Sequence, residues 1–164
     1  MSASIDYSQS SATIALALIN LANGTSETLE TVSLGIPQPM ATGSIRDTSV
    51  VVTAIAGGGR TGSVTVYYDR MDLGKLFAMQ PFYLVATNPQ STWDLIPVIN
   101  AVFGLGLQTT DIIKTTITGT TVSIQADPAS LAYEGSVNAI IVPPANSPSI
   151  PFVTDVGVTD LIGI

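Results

Sequence analysis

Between Thr48 and Asp69 the chain reads TSVVVTAIAGGGRTGSVTVYYD. Val50, Val52 and Ala54 alternate with Val51, Thr53 and Ile55; beyond the glycines, Val64, Val66 and Tyr68 alternate with Thr65, Tyr67 and Asp69. A period of two in β-branched residues marks strands, and the glycines between them supply the positive φ that a reversal needs. The stretch predicts a β-hairpin with Val50, Val52, Val64 and Val66 on its inner face.

The chain writes this unit twice. Val122, Ile124 and Ala126 alternate with Thr121, Ser123 and Gln125, and Gly135-Ser136-Val137 repeats Gly62-Ser63-Val64. Upstream, Ile19-Asn20 is followed by Gly24 and Val32, as Ile99-Asn100 is followed by Gly104 and Ile112, with Leu16 and Ile96 in matching places. Self-similarity in a common order indicates a duplicated supersecondary unit. Each copy opens on an apolar stretch. A helix is expected from Thr13 through Asn20, apolar nearly all round and so covered on more than one side, and stopped at Asn23-Gly24. Thr25 to Val32, with Ser26 and Glu27 at its front, suggests a further short helical turn. The second helix is expected from near Asp94 to Phe103, with Pro97 in its first turn and Gly104 as its stop. Phe82 to Val85 reads as an additional strand. Gly35 to Asp47, rich in proline and glycine, reads as an insertion in the first copy.

Composition narrows what such a fold can do. Apolar residues make up 46 % and charged residues 10 %, so core material is plentiful and the charged surface is sparse, as for a surface covered by other subunits. Twelve acids against five bases leave no basic footprint for a phosphate backbone, which argues against direct nucleic-acid binding. There is no cysteine and no histidine. Thiolate metal sites, disulfides and a Ser-His-Asp triad are thereby excluded. The N-terminus lacks the basic region of a signal peptide, and the apolar run Ile14 to Ala22 is too short to span a bilayer.

The remaining candidate chemistry is weak. GGGRTG, Gly57 to Gly62, superficially resembles a phosphate loop but lies between strands and lacks the lysine; a hairpin turn accounts for it. Asp69 with Asp72, Glu27 with Glu30 and Asp155 with Asp160 are paired in sequence, yet a glycosidase needs facing acids in a cleft with aromatic platforms. A carboxylate-dependent hydrolase is thus the minor reading, with solvated acids and caps as the plainer one. Asn20 and Asn100 read as structural amides that bond freed carbonyls at the helix end. Arg70 pairs either with Asp69 or Asp72 or with a neighbouring subunit. No catalytic residue, cofactor site or metal site is assigned.

LIPVINAVFGLGLQTTDI (residues 95–112) and TGSVTVYYDRMDL (residues 61–73) resemble virion structural proteins of large (jumbo) tailed bacteriophages. In that family a segment of the type Leu-Leu-Pro-x-Ile-Asn, then Gly-Leu, then Leu-Thr-x-x-Asp-Ile precedes a β-rich segment, with Gly106 and Gln108 departing here around the Leu-Thr, and Tyr68, Arg70, Asp72 and Leu73 match the Tyr-x-Arg-x-Asp-Leu phrase that ends the hairpin. The resemblance implies a particle component made in the host cytoplasm, with other copies of itself and other virion proteins as partners. It implies no small-molecule substrate, membrane or direct nucleic-acid partner. A multicopy capsid component (head or decoration protein) is the leading expectation. The alternative is a tail or baseplate component with an adhesive, glycan- or host-contacting surface, for which Tyr67, Tyr83 and Trp93 would form an exposed aromatic cluster.

The expected architecture is α+β: an extended lead-in (1–12), a duplicated domain (13–142, copies 13–73 and 92–142), and a proline-rich connector with a C-terminal arm (143–164). The hairpins are expected to form one or two antiparallel sheets, with the two helices covering one face and Leu16, Ile19, Val50, Val52, Val64, Val66, Ile96, Ile99, Val122, Ile124, Val137 and Ile141 in the core. A β-sandwich with marginal helices is the alternative. In the arm, Phe152, Val153, Val156, Val158, Leu161, Ile162 and Ile164 are too apolar for a solvated terminus. Together with Arg70 they are the expected subunit-interface residues, the arm adding as a strand to a neighbour's sheet edge.

Overall fold

A computed structural model describes residues 4–77 and 82–144. Helix α1 spans Ser11–Asn23. It begins three residues earlier than a Thr13 cap would place it because Ser10 is the N-cap, its hydroxyl accepting from the Thr13 N–H at 3.3 Å. Gly24 ends it at φ 66°, a left-handed conformation that only glycine adopts cheaply. The expected short helical turn after Thr25 forms as a single turn, the Thr31 and Val32 N–H groups both bonding the Thr28 carbonyl at 3.0 Å, and the chain then enters strand β1 (Val32–Leu34) without becoming a helix. The polar residues of this stretch serve a loop built on Asn20.

The first hairpin forms as expected, from β3 (Thr48–Ala54) and β4 (Ser63–Tyr68), with Val50 opposite Val66 and Val52 opposite Val64. On the far side of β3 lie β1 and a short strand β2 (Gln38–Pro39), both antiparallel to it. The segment Gly35 to Asp47 is therefore no free insertion: its beginning is a sheet strand, and the Met40 N–H closes its end on the Asp47 carbonyl at 2.7 Å. Strand β5 (Met71–Asp72) leads into the single turn α2 (Leu73–Leu76).

Strand β6 (Phe82–Val85) lies where the sequence placed it. A 3-10 turn, Thr92–Leu95, precedes helix α3 (Ile96–Phe103), which ends at Gly104 with φ 64°. The second hairpin joins β7 (Thr121–Gln125) to β9 (Ser136–Val142), with β8 (Tyr133–Glu134) in its connection. The class is α+β, but two pairings are parallel. β6 runs parallel to β9, making the second main sheet a mixed β6-β9-β7, and β5 runs parallel to β8.

Two cores result. Ala15, Leu16 and Ile19 of α1 cover Val32, Val50, Val52 and Tyr68 of the first sheet. Ile14, on the adjacent stripe of the same helix, enters the larger second core among Phe82, Leu84, Ile96, Ile99, Ile124 and Ile141. α1 is apolar nearly all round because it faces both. Each fully buried Ile or Leu is worth about 1.5–3 kcal/mol, so the second unit holds most of the hydrophobic stabilisation. Ten of the twelve expected core residues are buried; Val66 is half-buried and Val64 is 59 % exposed.

Candidate assembly interface

Val64 stands on β4, which is an edge strand. β4 pairs with β3 on one side and, among the described residues, with no strand on the other. In the second sheet β9 pairs with β7 on one side and β6 on the other, and Phe82 and Leu84 of β6 are buried. The first sheet has the hairpin without this third strand.

Register fixes which backbone groups are left open. The Ala54 N–H bonds the Gly62 carbonyl at 2.9 Å, as the Ala126 N–H bonds that of Gly135 at 2.9 Å. Antiparallel strands turn alternate residues toward their partner. Gly62, Val64 and Val66 therefore bond β3, and Ser63, Thr65 and Tyr67 point their amides outward. The Asn23 side chain, at the end of α1, donates to the outward Tyr67 carbonyl at 3.0 Å; no other side-chain bond reaches these outward groups among the described residues.

Beside this edge lies a groove of about 260 Å3, lined by Leu16, Ile19, Val32, Val52, Val64 and Val66 and overhung by the ion pair of Arg60 and Glu27. The residues after each helix explain it. Leu105 and Leu107, the first and third residues past Gly104, are buried in the larger core; the first and third residues past Gly24 are Thr25 and Glu27. A carboxylate cannot enter the core unpaired, so Glu27 stays at the rim with Arg60 and the apolar space beneath is left unfilled.

Arg70 is not part of this surface, and its assignment to a subunit interface is corrected. Its side chain is 7 % exposed. Nε donates to Thr48 Oγ1 at 2.9 Å, and Nη1 donates to the carbonyls of Pro128 (3.3 Å), Ser130 (3.2 Å) and Tyr133 (3.4 Å). Nη2 stands 3.3 Å from Glu134. With all its nitrogens used inside the molecule, Arg70 joins the first hairpin to the connection of the second. The Tyr68 hydroxyl crosses the same joint to the Leu131 carbonyl at 2.6 Å, and Ser11 Oγ accepts from the Ala132 N–H at 2.9 Å.

The carboxylates near Arg70 are likewise structural. Asp69 accepts from Arg46 at 2.5 Å and from the Asp47 N–H at 3.0 Å. Asp72 caps α2 through the Gly74 N–H at 2.7 Å. Burial, and then Asp47, push the Glu134 carboxyl above its ordinary value, with Arg70 opposing. Among the described residues no three carboxylates gather as a metal site would require.

Asn20 and Asn100 each bond the loop that follows their helix (Nδ2 to the Glu27 and Leu107 carbonyls, both 2.9 Å). Tyr67 and Tyr83 are exposed but lie on different sheets, and Trp93 is committed elsewhere: its Nε1 donates to the Ile112 carbonyl at 2.8 Å and Lys114 sits over its ring. The arm residues Phe152, Val153, Val156, Val158, Leu161, Ile162 and Ile164 lie outside the described residues. No helix among the described residues is long and apolar enough to cross a membrane.

The geometry defines an α+β protein whose most distinctive surface is an open strand edge beside an apolar groove. The chain belongs to a family of unknown function (DUF7941), which matches residues 4–164. Comparison with curated proteins and with solved structures gave no match.

Proposed function

We propose that this protein is a non-enzymatic structural component of a virion that assembles in many copies through contacts between its own subunits, with the capsid as its place. The observation that carries the reading is the β4 edge: a strand with outward amides, an exposed Val64 and an apolar groove alongside is a template for another chain. Low charge (10 %) supports it, as does the resemblance of residues 61–73 and 95–112 to jumbo-phage virion proteins.

The same reading takes residues 13–73 and 92–142 as two copies of one unit. Its support is the paired hydrogen bonding. Beyond the asparagine loops, the Ile55 N–H bonds the Thr31 carbonyl at 2.9 Å, as the Asp127 N–H bonds that of Asp111 at 2.7 Å.

A tail or baseplate role with a glycan-binding face is the second reading. It has less support, because Trp93 is tied to Ile112 and Lys114, and Tyr67 and Tyr83 stand on separate sheets. The test is sedimentation of the purified chain over a concentration series, joined to a cryo-EM map of the particle. Self-association and density for the fold in the capsid shell are expected. A chain monomeric at every concentration and absent from the particle would end the reading.

A further inference from the structure

We infer that the open edge of β4 receives the C-terminal segment around Phe152 and Val153 of another copy, as a parallel strand, so that copies join head to tail. The inference deepens the assembly reading above and rests on it.

The template lies within the molecule. β6 follows the first hairpin in the chain, yet it pairs with β9 of the second. Pairing is thus handed forward: the strand after one hairpin completes the next. Among the described residues no strand is handed to the first hairpin, and the segment after the second hairpin follows it as β6 follows the first.

That segment carries the sequence of a donor strand. Pro151-Phe152 repeats Pro81-Phe82, and Asp160-Leu161-Ile162 repeats Asp94-Leu95-Ile96, in the same order and at shorter spacing. In the second unit Phe82 and Leu84 point inward and Tyr83 and Val85 outward. A strand from Phe152 likewise turns Phe152 inward, toward the groove of Leu16, Val52 and Val66, and puts Val153 in water.

Register follows from the matched hairpins. Val64 stands opposite Val52 as Val137 stands opposite Ile124, so Val66 corresponds to Ala139 and Tyr67 to Ile140. Since Phe82 faces Ala139 and Tyr83 faces Ile140, Phe152 is placed opposite Val66 and Val153 opposite Tyr67. Docking exchanges one existing bond, that of Asn23 to the Tyr67 carbonyl. In the second unit Phe103 occupies the corresponding helix end and packs on Phe82, 5.3 Å between ring centroids.

The test uses the full chain, which has no cysteine of its own. One preparation carries Tyr67→Cys and another Val153→Cys. Mixed and oxidised, they are expected to give a disulfide-linked dimer, and the pair Ser123→Cys with Val153→Cys is expected to give none. A chain carrying both Tyr67→Cys and Val153→Cys that links only within itself, while the mixed chains do not link, would show the segment folded back on its own edge and overturn the inference.

Thr65→Pro supplies the second arm. It removes an outward N–H and sets a ring in the added strand's path, leaving the β3 ladder intact. Association is expected to weaken by about tenfold or more at unchanged melting temperature. Wild-type assembly with undiminished Thr65→Pro assembly would overturn the edge assignment and leave the assembly reading standing; a wild-type chain monomeric throughout would overturn the inference, and one also absent from the particle would overturn both. Should Thr65→Pro fail to fold, the cysteine pairs decide.

Discussion

Asn20 and Asn100 hold their chains in the same way: each side-chain amide donates to the carbonyl of the residue seven places on, at 2.9 Å, and accepts from that residue's N–H, at 2.9 and 3.0 Å. A two-bond clasp of this kind closes the loop after each helix and sets the next strand on the helix's flank. Removing it leaves a partly buried carbonyl and N–H without partners, at about 1–3 kcal/mol. Asn20→Ala and Asn100→Ala are expected to cost similar amounts in urea unfolding, with the double variant close to their sum. A negligible loss at either site would show that its loop is held by packing alone.

Arg70→Ala removes bonds to three carbonyls, to Thr48 and to Glu134 from a side chain almost wholly enclosed. A destabilisation of about 3–5 kcal/mol is expected. Arg70→Lys is expected to recover little of it, since an ammonium cannot reach as many acceptors at once. Chemical denaturation measures the loss, and sedimentation of the folded fraction should show association unchanged.

Gly106→Ala is expected to destabilise although the residue lies in a loop. A Cβ there would stand 2.0 Å from the Gln9 carbonyl oxygen and 2.5 Å from that of Ser8, both backbone atoms. The Gly106 N–H bonds the Tyr7 carbonyl at 2.9 Å, so the clash would push residues 7–9 off the second unit. Faster hydrogen exchange at Gly106 and in α1 is the readout; wild-type exchange would show that the N-terminal segment gives way at no cost.

Two carboxylates are expected to bend the pH dependence of stability in opposite senses. Glu134 has a raised value in the folded chain, so its contribution is fully present below its unfolded value and is lost as pH rises through the folded one. Glu134→Gln should therefore flatten the decline above the usual carboxylate range. The Asp94 value is lowered by the N–H groups of Gln90 and Ser91, so its contribution is present above its unfolded value and is lost as pH falls through the folded one. Asp94→Asn should remove part of the acid-side loss. Melting temperatures between pH 3 and 8 distinguish the two, and parallel curves for wild type and both variants would refute the assignments.

Local features of the fold were legible in the sequence, and long-range choices were not. The alternation at Val50, Val52, Val122 and Ile124 and the stops at Gly24 and Gly104 depend on neighbours a few residues away. Val64 shows the same alternation, yet its burial depends on whether a distant strand comes to lie beside β4, which no local pattern encodes. Arg70 was misread for a related reason: its carbonyl acceptors lie on residues 128–133, and carbonyls leave no mark in the sequence. The groove did leave one. Thr25 and Glu27, the first and third residues past Gly24, are polar, whereas Leu105 and Leu107, at the same distances past Gly104, are apolar and buried.

The joint at Arg70 also bears on how the molecule comes apart. Among the described residues no strand is shared by the two main sheets, and such an arrangement would ordinarily melt in two steps, the smaller core first. Here the guanidinium, the Tyr68 hydroxyl and Ser11 each link one half to the 128–133 connection of the other, and α1 lends a side to both cores. Neither half can loosen without leaving buried polar groups of the other unsatisfied. The calorimetric and van't Hoff enthalpies of the wild-type chain should accordingly coincide, and they should part company in Arg70→Ala, where the weaker half is released to unfold by itself.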